Sequence, residues 1–218
     1  RLWFFVVISI SLIITLNAFA KNIPLAETFA LIFISVISLI LSYITIYKRV
    51  YLTNNIVYML VYPGIAAVFV QFLNLFTLVV LLLIISLYDV WAVWHSGLMQ
   101  KMAKYQINKL NVFSGFFVPY MSKRLKLKLQ KMKKSQLKKK KIRVNVAMLG
   151  GGDVVFSTIA AGVVLKTLGL VPALLVIVGA TAGLTYLLMF SDKKKFYPAM
   201  PFITAGIVIA ILLSYLIF

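Results

Sequence analysis

The chain has 218 residues, of which 63% are hydrophobic, with a mean hydropathy of +1.03; ordinary soluble domains hold about 45–50% apolar residues, so a soluble core is excluded. The formal net charge of +19 does not point to nucleic acid, because 15 of the 23 Lys and Arg residues lie between Lys101 and Arg143, in one stretch flanked by apolar runs. Without cysteine there is no disulfide framework, thiol nucleophile or thiolate metal site, and a single histidine, His95, argues against a histidine metal centre or a Ser-His-Asp triad.

Several apolar runs reach the ~18–20 residues needed to cross a ~30 Å hydrocarbon layer, so the expected fold is all-α, a polytopic transmembrane helical bundle. Seven spans are predicted in chain order: Leu2 to Ala20, Leu25 to Tyr47, Ile56 to Phe72, Leu75 to Trp94, Val146 to Leu168, Leu170 to Phe190, and Pro201 to Phe218. The first run follows Arg1 at once, with no short h-region and no small-residue cleavage site. An N-terminal truncation is therefore expected rather than a signal peptide. Pro63-Gly64 should bend the third span, which neighbouring helices can accommodate. From Ile56 to Trp94 the sequence is almost continuously apolar, too long for one crossing, and Gln71, Asn74 and Thr77 mark a tight hairpin. Trp91, Trp94 and His95 read as an aromatic belt at the end of the fourth span. Gly179 and Gly183 have the G-x-x-x-G spacing of close helix packing.

The chain divides into N-terminal helices (1–95), a basic loop (96–145) and C-terminal helices (146–218). In the loop, Val112 to Met121 is apolar and aromatic, suited to lying in the interface or partly blocking a site. Ser122 to Arg143 is lysine-rich and drawn to anionic lipid, with Leu125, Leu129, Met132 and Leu137 spaced for a surface helix. Ile142, Val144 and Val146 alternate with Arg143 and Asn145, the pattern of a short strand or an extended linker. If this loop is cytoplasmic, alternation of the spans puts Arg1, Lys48, Arg49 and Lys193 to Lys195 on the same side, with only Lys21 and Lys166 outside. The resulting split of 21 to 2 obeys the positive-inside rule.

The four acidic residues are Glu27, Asp89, Asp153 and Asp192. Glu27 lies near a span end and Asp192 beside three lysines, so both read as interfacial. Asp89 and Asp153 lie inside apolar stretches, where a charge costs at least ~2.5–3.5 kcal/mol at mid-bilayer and so demands a partner, a water cavity or a function. The topology puts both toward the cytoplasmic ends of their spans, at similar depth. Two carboxyls that meet in a low dielectric cannot both ionise, so one can act as general base on water while the other polarises a carbonyl as acid. The alternatives are a structural pair or a proton or cation pathway, as in a non-enzymatic transporter or channel.

Asp89 follows Tyr88, Asp153 ends the run Gly150-Gly151-Gly152-Asp153, and Pro198-Ala199-Met200-Pro201 stands before the last span. These three elements, in this order, resemble the presenilin and signal peptide peptidase family of intramembrane aspartyl proteases. The resemblance implies that Asp89 and Asp153 are the catalytic pair and that Pro198, Ala199 and Met200 help shape the site. It also implies that no metal or cofactor is needed. Tyr88 is suited to line the pocket, and Gly150, Gly151 and Gly152 to open space for a substrate backbone. Met200 stands where the family has Leu, and the family's nine spans exceed the seven seen, the missing two being the first and second. A rival reading nearer in chemistry is a prepilin-type Gly-x-Gly-Asp leader peptidase, and the Tyr-Asp and Pro-Ala-Met-Pro elements argue against it. The expected partners are transmembrane peptide substrates and membrane lipid, with no nucleic acid and a homo-oligomer possible. The alternating segment before the glycines could pair with an unwound substrate by edge addition.

Overall fold

A computed structural model of the chain describes residues 2–20, 27–47, 51–95, 115–120, 145–190 and 197–217. These form α1 (Leu2–Ala20), α2 (Glu27–Tyr47), α3 (Tyr51–Phe72), α4 (Leu75–Trp94), β1 (Gly115–Tyr120), β2 (Asn145–Gly150), α5 (Gly151–Leu168), α6 (Leu170–Phe190) and α7 (Met200–Ile217). All seven helices are long and apolar enough to cross a membrane. Hydrocarbon leaves each backbone group to find its partner within the segment, which is what an α-helix provides. At most 39% of any crossing stretch is buried inside the bundle, and large apolar side chains such as Leu83, Ile84 and Leu87 on α4 face outward.

The predicted first, fourth and sixth spans coincide with α1, α4 and α6, while α3 starts at Tyr51 instead of Ile56. The fifth span needs correction. Val146 to Gly150 is strand, and helix begins only at Gly151. Hydropathy cannot separate an apolar strand from a helix turn. The glycines can: Gly150 is an extended N-cap (φ −61°, ψ 136°), and each glycine costs a helix about 1 kcal/mol relative to alanine. β2 pairs antiparallel with β1, from Gly115 opposite Gly150 to Tyr120 opposite Asn145. The strand expected from Ile142 to Val146 shares only Asn145 and Val146 with β2, and Ile142 to Val144 lie outside the described residues. The surface helix expected within Ser122 to Arg143, and the interfacial residue Asp192, also lie outside them.

Two apolar clusters fill the interior. One, around Leu12, Val57, Tyr58, Val61 and Tyr62, joins α1, α2 and α3 and reaches Phe116 of β1 and Val154 of α5. The other, around Leu82, Val163, Val176 and Ile207, joins α4, α5, α6 and α7. The most extensive helix pairing is α6 with α7, and the glycines explain it. A Cβ added at Gly179 would run into the Gly206 carbonyl, one at Gly206 into the Gly179 carbonyl, and one at Gly183 into that of Phe202. Across α1 and α3, Gly64 admits the Ser11 carbonyl in the same way. Thr15 on α1 donates to the Leu60 carbonyl at 2.7 Å, in the α3 turn that Pro63 loosens by lacking an N–H.

The α3–α4 connection is the predicted hairpin. Asn74 caps α4, its N–H donating to the Thr77 hydroxyl at 2.8 Å, the back-bonding half of a capping box. Lys166, near the end of α5, donates to the Val70 and Gln71 carbonyls at 3.3 Å each, filling acceptors that the end of α3 leaves open. The C-terminus of α3, the N-terminus of α4 and the C-terminus of α5 therefore share one end of the bundle. Asp89, Asp153 and the start of α7 lie toward the other.

Candidate active site

On α4 the buried residues Leu78, Leu82, Asp89, Ala92 and Val93 recur at helical spacing and form the face packed on α5 and α7. That spacing puts a carboxylate where an aliphatic side chain would otherwise sit: Asp89 is 3% exposed. The group that meets it is the N-terminus of α7. Ala199 accepts the first bond of that helix from Ile203 N–H (3.2 Å), which leaves the Met200 N–H free, and that N–H donates to Asp89 Oδ2 at 3.0 Å. Helix N-termini carry unpaired N–H groups and a positive dipole end, so an anion is favoured there. Pro201, in the same first turn, has no N–H to leave unpaired. Pro198 and Met200 are buried, fixing the turn against α4. The other oxygen, Asp89 Oδ1, is buried and has no hydrogen-bond partner among the described residues.

Asp153 stands in the first turn of α5, partly buried, at the junction that the glycines create. A Cβ placed on Gly150 would lie 3.1 Å from Asp153 Oδ2, so the strand end passes close over this carboxyl. Gly151 is buried, whereas Gly152 is exposed and faces open space, with nothing within 4 Å of a Cβ added there. The carboxyls of Asp89 and Asp153 lie within electrostatic reach of one another. Asp153 also lines a cavity of about 440 Å³ between β1, α5, α6 and α7.

The fold thus brings together Asp89, Asp153, Gly150 and the Pro198–Met200 turn. Tyr88 is placed elsewhere: its side chain is exposed on the outer face of α4, with its ring 6.2 Å from that of Trp91. Sequence reasoning missed Ser157, Thr158 and Thr181 as cavity residues, whereas Phe116 belongs to the apolar Val112–Met121 segment read as lying in the interface or partly blocking a site. A signal for one of them exists, since Ser157 follows Asp153 by one helical turn within an apolar run. The Met200 contact could not have been read, because it belongs to the backbone and not to the side chain.

The family model for signal-peptide peptidase, presenilin aspartyl protease, matches residues 2–218. A comparison with curated protein sequences gives no significant match. The chain belongs to the signal-peptide peptidase and presenilin family, whose general activity is intramembrane aspartyl proteolysis, and it is a multi-pass integral membrane protein.

Proposed function

We propose that this protein hydrolyses peptide bonds of single-span membrane proteins or signal-peptide remnants, with Asp89 and Asp153 as the catalytic pair. The observation that carries the reading is Asp89 itself. A carboxylate buried to 3% exposure, bonded through one oxygen to a helix N-terminus and, among the described residues, unpartnered at the other, is costly to keep without a reactant or water to complete it. The second carboxyl within electrostatic reach gives the arrangement its chemistry.

Two such carboxyls hold one proton between them. The charged member takes a proton from water as the water oxygen bonds to the scissile carbonyl carbon, while the protonated member hydrogen-bonds the carbonyl oxygen. Collapse of the tetrahedral intermediate breaks the C–N bond. The amide nitrogen leaves with a proton from the pair, and the products are a carboxylic acid and an amine. The Met200 N–H keeps Asp89 Oδ2 fixed through these steps and leaves Oδ1 for water.

A transmembrane helix bonds all its own backbone groups, so it must open locally before attack. The open ground beside Gly152 and the edges of the β1–β2 ribbon, unpaired among the described residues, are suited to the opened segment. The basic loop places the pair on the cytoplasmic side by the positive-inside rule. Substrates with an outside N-terminus would then be cut toward their cytoplasmic ends.

The test is to incubate purified protein with a panel of single-span peptides and identify the products by mass spectrometry. Wild type should cleave. Asp89→Ala and Asp153→Ala should each fall to background while keeping the wild-type thermal midpoint, and full proteolysis by either variant would refute the pair.

A further inference from the structure

The cavity beside Asp153 has a definite shape and wall chemistry. On α5 its wall runs from Asp153 through Ser157 to Ala161, at one-turn spacing and so over about 12 Å of helix axis. On α6, which runs the opposite way, Leu184 lies nearest the Asp153 level, with Thr181 and then Ile177 deeper in the span. Ala180 and Ile203 close the back, where the glycine contacts draw α7 against α6. The space is therefore a groove leading from a carboxyl of the pair into the span.

Its hydroxyls have already used their protons. Ser157 Oγ donates to the Asp153 carbonyl at 2.7 Å, Thr158 Oγ1 to that of Val154 at 2.7 Å, and Thr181 Oγ1 to that of Val178 at 2.9 Å. What these residues offer the groove is carbon and oxygen lone pairs. Such walls accept apolar side chains, and near Asp153 they accept any N–H freed when a helix opens. They repel carboxylates, which bring acceptors where no donor waits. The volume, about 440 Å³, is within the ordinary range of ligand pockets, ~300–1,000 Å³.

We infer that this α5–α6 groove selects the residues of the substrate that flank the scissile bond on its membrane-embedded side. It takes large apolar side chains and rejects acidic ones, with Thr181 and Leu184 setting the size limit. The inference rests on proteolysis by Asp89 and Asp153. Continuity with Asp153 names the occupant: a chain whose carbonyl is held at that carboxyl has its next residues inside the groove.

The experiment uses the full chain in bicelles with single-span peptides that differ only at one flanking position, as Ala, Leu, Phe or Glu. Product identities and rates are read by mass spectrometry, and the thermal midpoint is followed in parallel. Wild type should prefer Leu and Phe over Ala and leave the Glu peptide uncut. Thr181 is exposed enough to enlarge, and Thr181→Phe should lower the Phe-over-Ala preference at least tenfold. Leu184→Ala should move the preference the other way, toward Phe over Leu, and carries the test alone if Thr181→Phe does not fold. Folded, active variants with the wild-type profile would overturn the groove and leave proteolysis standing, the outcome expected if lipid acyl chains occupy it. A uniform loss across all peptides would also overturn it. A wild type that cleaves nothing would remove the proteolytic reading, and the groove with it.

Discussion

Met200 tests whether the start of α7 acts through its backbone. Its side chain is 3% exposed and its N–H donates to Asp89 Oδ2 at 3.0 Å, so side chain and amide can be removed separately. Met200→Leu keeps both and should cleave at near the wild-type rate, because swaps of similar apolar volume cost less than about 1.5 kcal/mol. Met200→Ala keeps the amide and empties a core position. It should lose stability, about 2–5 kcal/mol for a buried Met, yet retain activity per folded molecule. Met200→Pro removes the N–H, and a helix tolerates proline at its first position. A hydrogen bond to a charged group contributes about 1.5–3 kcal/mol, which converts to a rate loss of roughly 10- to 150-fold if it is needed to hold Asp89. The assay is single-turnover cleavage normalised to the folded fraction, with thermal midpoints measured alongside. Equal specific activity in the Ala and Pro variants, at whatever level, would refute a role for the amide.

Three further outcomes are expected. A pair sharing one proton should give a bell-shaped rate against pH, falling on the acid side where both carboxyls are protonated and on the basic side where both are charged. A flat profile in an assay limited by chemistry would contradict the shared proton. Gly206→Ala drives a methyl into the Gly179 carbonyl across the α6–α7 contact. It should cost about 1–3 kcal/mol, seen as a lower thermal midpoint in detergent, and an unchanged midpoint would mean that the helices part without cost. Finally, a unique cysteine placed in Ser122 to Lys141 should react in intact cells with membrane-permeant reagents only, and labelling by an impermeant reagent would reverse the assigned orientation.

The parts of this fold legible in the sequence are those that hydrophobicity writes directly. Lipid demands an apolar residue at almost every position of a crossing helix, so the ends of α1, α4 and α6 fall where that demand stops. The same uniformity erases the amphipathic signal by which helices in water announce their inner faces, and partners must be read from small residues. Gly179 and Gly183 announced a close helix contact without naming its partner, and the matching signal on α7 is the fainter Gly206-x-x-x-Ala210 spacing, whose two residues both meet Gly179. β1 carried a mixed signal: it is apolar and aromatic, yet it contains Pro119, and its partner β2 lies beyond the lysine-rich stretch. Pro119 is opposite Val146 in a ribbon that has two strands among the described residues, so each is an edge there and a missing N–H can point away from the ladder.

At the candidate site the legible part is charge and the illegible part is backbone. Asp89 and Asp153 stood out because carboxylates are rare in spans, and the motifs around them supplied an order. What the motifs do physically appeared only in three dimensions. The glycine run ends a strand as well as opening space, so the residue before Gly151 and Gly152 is held extended over the Asp153 carboxyl. The Pro-Ala-Met-Pro element stops one helix from starting early and aims its first free N–H at Asp89. Both elements carry their effect through residues whose side chains do no acid–base chemistry, which is why substitutions that preserve the backbone there should be mild and proline at Met200 should not.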